Sequence, residues 1–117
     1  MRRDIILLII ALTALIIGCK KNTGETGVIP QTCDGVDSRF SAKVFPIIQG
    51  SCATSVGCHG NGSINGPGAL TSFIQIRNAS AAIKTAVVSG LMPLGGSLST
   101  GDKNAIICWV NSGDPDN

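Results

Sequence analysis

The chain has no tyrosine, one tryptophan and three phenylalanines in 117 residues. So few aromatic rings leave little large flat apolar material for a core or a stacking surface. Histidine is scarcer still: His59 is the only one. Without a second imidazole to carry a proton, and with the few carboxylates scattered over loops and termini, acid–base or nucleophilic catalysis is not expected. Charge is sparse at 14% of residues, and the net formal charge is only +2. A basic stripe of the kind that binds nucleic acid is missing. There is no alternating strand pattern and no internal repeat, so the expected fold class is all-α.

Glycine, cysteine and one long apolar run stand out instead. Arg2 and Arg3 precede Ile5 to Ile17, an apolar run broken only by Thr13. It falls short of the roughly 20 residues a transmembrane helix needs and fits the core of an export signal. The run closes on Leu15-Ile16-Ile17-Gly18-Cys19, which resembles a bacterial lipobox. That resemblance implies cleavage before Cys19 and a lipid on its thiol. The expected organisation is a signal peptide over 1–18, a lipidated cysteine and flexible linker over 19–37, and one helical domain over 38–117. After cleavage the chain is nearly neutral, and it works in the cell envelope, facing the periplasm or the exterior, where disulfides persist.

Four helical regions are legible. Phe40, Val44, Ile47 and Ile48 share one face of a helix over Ser38 to Gln49, which Asp37 or Ser38 would cap and Pro46 would kink. Ser72 to Arg77 is a short helix. Ser80 is a candidate cap for a second, with Ile83, Val87 and Val88 apolar and Gly90 as its stop. Ser99, followed by Asp102 in capping-box spacing, or Thr100 would cap a last helix whose buried face is Ala105, Ile106, Trp109 and Val110, and which Gly113 ends. Gly50 to Gly68 holds six glycines and one proline and reads as a loop, as does Leu91 to Leu98.

The chemistry concentrates in the first loop. Cys52, Cys58 and His59 form two thiols ahead of an imidazole, the order that attaches a c-type haem, although the usual spacer is two residues and here it is five. The competing reading is a Cys52–Cys58 disulfide that closes a small loop, with His59 a bystander. A zinc site using Cys33, Cys52, Cys58, His59 and Cys108 is disfavoured, because adjacent Cys58 and His59 turn onto one ion with difficulty.

From Arg39 to Asn117 the chain resembles the class I cytochrome c family, in particular small lipid-anchored (Bacteroidetes-type) bacterial members. Phe45-Pro46-Ile47-Ile48 is similar to that family's helix entering the attachment site. Gly66-Pro67 followed by Leu70 resembles its loop after the haem, Leu91-Met92-Pro93 its methionine ligand loop, and Lys103 to Gly113 its C-terminal helix. The resemblance implies one covalent haem c bound through Cys52 and Cys58. His59 and Met92 would be its axial iron ligands, and the Pro67 carbonyl would hold the His59 ring. It implies a membrane-anchored electron carrier with protein redox partners, not an enzyme. With the lipid and haem thiols so assigned, Cys33 and Cys108 remain, and in an oxidising compartment they are expected to pair; four cysteines allow three pairings, and the sequence leaves these open. The alternative function is a haem-free, disulfide-stapled helical envelope lipoprotein serving as a binding or structural module.

Overall fold

The computed structural model describes residues 32–117. The expected signal peptide, the lipidation site Cys19 and the linker as far as Gln31 lie outside the described residues. A π-helical turn, Phe40–Val44, runs into α1, Phe45–Ser51. After the glycine-rich loop come α2, Phe73–Asn78, and α3, Ser80–Val88. A second loop leads to α4, Thr100–Asn111. There is no strand among the described residues, so the all-α expectation holds. No helix among them is long and apolar enough to cross a membrane.

Pro46 explains the first irregularity. It has no N–H for the carbonyl of Ala42, and its ring would press on that carbonyl in a continuous α-helix. The chain widens to a π-turn just before it, with Val44 N–H bonding the Arg39 carbonyl at 3.1 Å. Phe40, Val44 and Ile48 share one buried face, while Ile47, expected on the same face, is only half-buried. The cap is not the one expected. Asp37 bonds Arg39 instead, and the free amides of the first turn are met by a distant residue: Phe40 N–H donates to Asn117 Oδ1 at 2.7 Å and Ser41 N–H to the Asn117 carbonyl at 2.8 Å.

The aromatic residues do not scatter. Phe40 packs against Phe45 at 5.6 Å, Phe73 at 4.8 Å edge-on and Trp109 at 5.4 Å. Every aromatic ring the sequence owns therefore meets at one residue, and scarcity is offset by concentration. Trp109 is fully buried and its Nε1–H donates to the Pro115 carbonyl at 2.9 Å, so its polar edge is satisfied.

α4 packs against both α3 and the π-turn. Ser99 caps it: its Oγ accepts from Asp102 N–H at 3.1 Å, and its hydroxyl donates to the Asp102 carboxylate at 2.9 Å. Lys43 of the π-turn reaches the same carboxylate at 2.8 Å. These bonds hold the Asp102 carboxyl below its usual range, Lys43 contributing most and Ser99 next. In α3 the expected cap fails. Ala79 occupies the cap position, and Ser80 is the buried first residue of the helix because α2 and α3 nearly abut. Ile83 and Val87 are buried as read, whereas Val88 is exposed.

Cys33 and Cys108 form a disulfide across 75 positions, the pairing the resemblance left for them. It ties the segment before the π-turn to the middle of α4.

Candidate functional site: an apolar cavity beside paired thiols

Small residues make room between α3 and the loop after α1. Ala82 and Ala86 lie one turn apart on α3, with Ile83 and Val87 beside them. Cys52, His59, Gly66, Pro67, Leu70 and Met92 supply the rest of the lining. Together they enclose about 390 Å³. A second cavity of about 500 Å³ shares Cys52, His59, Gly66 and Met92 and continues to Cys58, Pro93 and Leu94. Both volumes fall within the range of small-molecule sites, roughly 300–1,000 Å³. The structure thus brings Cys52, Cys58, His59 and Met92 to the walls of one cavity.

The loop that carries three of them is tightly tied. Cys52 ends α1, and its carbonyl accepts from His59 N–H at 3.0 Å. The His59 carbonyl in turn accepts from Leu70 N–H at 2.8 Å. Gly60 N–H reaches the Ser55 carbonyl at 2.7 Å, and a Cβ on Gly60 would lie 2.7 Å from that same carbonyl group. Only glycine allows so close an approach. Ser63 Oγ donates to the Cys58 carbonyl, and Asn65 Nδ2 to the Gly57 carbonyl at 2.8 Å.

His59 is 7% exposed. Its Nδ1 lies 3.1 Å from the Gly68 carbonyl. A carbonyl only accepts, so Nδ1–H donates, and Nε2 is the ring nitrogen left for a ligand. The ring is therefore held by Gly68 and not, as expected, by Pro67; Pro67 supplies wall. Gly68 adopts φ +100°, a left-handed conformation that presents its carbonyl at little strain. Met92 N–H bonds the Ala86 carbonyl at 3.2 Å and pins its loop to α3.

The two thiols differ. Burial, and then the nearby charge of Cys58, push the Cys52 thiol up. The Cys58 thiol is exposed and is lowered by bonds from the Thr54 and Ser55 hydroxyls. Ala82 and Ala86 were missed by the sequence reading. Their signal was there, two small residues four apart beside the apolar stripe of Ile83 and Val87.

The electron-carrier reading is corrected here. It requires a metal centre, and among the described residues no group of three or more His, Cys, Asp or Glu side chains gathers to hold a metal ion. The thiols ahead of His59 also keep five residues between them, against two in the usual attachment motif. Cys52 is set into the wall and Cys58 faces solvent, so the donors line a cavity and do not converge as a cluster. Comparison with protein-family models, with curated proteins and with solved structures finds no match to this chain.

Proposed function

We propose that this protein is a haem-free, disulfide-stapled helical module of the bacterial cell envelope that binds a flat apolar ligand without transforming it. Its helices take the class I cytochrome c-like order that the motifs from Arg39 to Asn117 suggest. Lipid on Cys19 tethers the module to a membrane, and the linker holds it off the surface. The cavity between α3 and the 52–70 loop supports this reading above all: its walls are apolar and small, and its polar groups are few. An apolar ring system suits a cavity lined by Ala82, Ala86, Pro67 and Leu70. His59 Nε2 and the Met92 thioether offer the ligand one good and one weak acceptor.

The test is binding of anilinonaphthalene sulfonate, a fused aromatic probe, to the natively folded protein. Saturable binding to one site is expected. Ala86→Trp fills the cavity and weakens binding by about tenfold or more, roughly 1.4 kcal/mol, while cooperative thermal unfolding is retained. Equal binding by the variant sinks the reading. Intact mass of the exported protein is the second check: the expected value is the polypeptide with its acyl groups, less two protons per disulfide. A mass raised by one haem overturns the proposal.

A further inference from the structure

We propose that Cys52 and Cys58 are a reversible thiol–disulfide couple at the cavity mouth, closed by exchange with a small-molecule disulfide, and that closure reduces the cavity's affinity for its ligand. The inference rests on the binding reading above for its consequence, but the couple itself stands on the placement of the thiols. Four cysteines lie among the described residues; two are already joined as Cys33–Cys108, and Cys52 and Cys58 are both free. Both free thiols line the same 500 Å³ cavity, together with Met92 and Pro93. The loop between them turns back on itself, because the Cys52 carbonyl accepts from the amide of His59, the residue after Cys58, at 3.0 Å. A tight turn at Ser55 assists, with Cys58 N–H bonding the Ser55 carbonyl at 3.1 Å. Ala53, Thr54, Ser55 and Gly57 are small and leave the turn room to adjust.

Exposure divides the roles. Cys58 faces solvent and can meet a bulky disulfide; Cys52 is 8% exposed and cannot. With oxidised glutathione the steps balance. The Cys58 thiol gives up its proton, and its sulfur attacks one glutathione sulfur; the glutathione S–S bond breaks, and one glutathione leaves as a thiolate that takes the proton. The Cys52 thiol then attacks Cys58 Sγ in the mixed disulfide, and the second glutathione leaves with the Cys52 proton. The two protein thiols are oxidised and one small disulfide is reduced to two thiols. A disulfide holds its sulfurs about 2 Å apart, so bond formation draws the exposed rim at Cys58 onto the wall at Cys52. Closure narrows the cavity that the two cysteines line together with Met92, Pro93 and Leu94.

The experiment equilibrates the intact lipoprotein in detergent across a series of reduced-to-oxidised glutathione ratios. Anilinonaphthalene sulfonate binding is measured on one portion of each sample; the rest is quenched with acid and unfolded, which opens buried Cys52 as fully as Cys58, before free thiols are trapped with a maleimide and the label is read by peptide mapping. Labelling of Cys52 and Cys58 is expected to fall together along one two-electron curve with no glutathione retained, and probe affinity to fall several-fold with it. Cys52→Ala is expected to hold one glutathione on Cys58, because the resolving thiol is gone. Independent loss of the two labels, or glutathione kept on Cys58 of the unaltered protein, overturns the couple. Unchanged probe affinity after closure overturns its effect on the cavity. If the reduced protein does not bind the probe at all, the binding reading fails alone, and the labelling curve still decides the couple.

Discussion

At the scale of single residues the site loop is governed by contacts too close for a side chain. Gly60 is the clearest case, since a methyl there would meet the Ser55 carbonyl carbon and oxygen at 2.7 Å. These are backbone atoms that another bond already holds. Gly60→Ala is therefore expected to destabilise the fold by about 1–3 kcal/mol, the usual cost of overpacking, and to loosen the His59 turn; thermal denaturation measures the first and amide exchange at His59 and Leu70 the second. Nothing in a single sequence distinguishes Gly60 from the five other glycines of this loop. Their abundance foretold a loop, but not which one is trapped against the backbone. Asp102 shows the opposite case, a residue whose role was half visible. Its spacing from Ser99 announced the cap, whereas Lys43 lies 59 positions away and reaches it only in the folded chain. Because the folded carboxyl titrates below its ordinary value of 3.8, its contribution is present above that pH and is lost as the pH falls through the lower folded value. Asp102→Asn should thus flatten the acid limb of a stability–pH profile and leave its shape near neutrality unaltered. Arg39 draws the Asp37 carboxyl down to about 2, yet both partners stand in solvent, and removal of the pair should barely move the melting temperature.

Elements were legible where periodicity and caps spoke together. α4 follows the reading from Ser99 to Gly113, except that Val110 is only half-buried and that Ile107 and Cys108 are buried as well, beside the disulfide. The first helix was legible as an apolar face and illegible as a backbone. A π-turn leaves no mark in hydrophobic spacing, so Pro46 read as a kink when it is an adjustment made one turn earlier. Its cap was beyond reach for a different reason: Asn117 is 77 positions from Phe40. Asn117→Ala removes the Oδ1 acceptor and strands the Phe40 amide, at a cost of about 0.5–2 kcal/mol. Faster exchange of the Phe40 amide, with α4 amides unaffected, would identify the loss as local. Ser80 misled because α2 leaves it no preceding loop from which to cap. The cavity was the least visible of all, since it depends on how α3 sits against the 52–70 loop. Sequence marked Cys52, Cys58, His59 and Met92 as a group through their order along the chain, and order alone cannot separate a cavity wall from a metal centre.

For the whole molecule the decisive bond is the one that spans most of it. Cys33–Cys108 encloses 75 positions of a domain described from 32 to 117. A covalent link of that span acts mainly on the unfolded chain, whose freedom it removes. The chain-entropy model puts the effect at about 4.5 kcal/mol for such a loop. That is a large share of the roughly 5–15 kcal/mol by which ordinary domains are stable. The core has its own contribution to set against this. Phe40 joins three other rings, and Phe40→Ala should cost about 3–5 kcal/mol through the void it leaves. The two losses should differ in kind. Removing the ring changes the folded state and leaves the urea dependence of stability unaltered. Replacing Cys33 and Cys108 together by alanine lets the unfolded chain expand, so the urea dependence should steepen while stability falls. Trp109 reports both, because it is the sole tryptophan, fully buried, and bonded through Nε1 to Pro115. A double variant that loses less than about 1 kcal/mol with an unchanged slope would show that packing around α4, and not the closed loop, holds the molecule together.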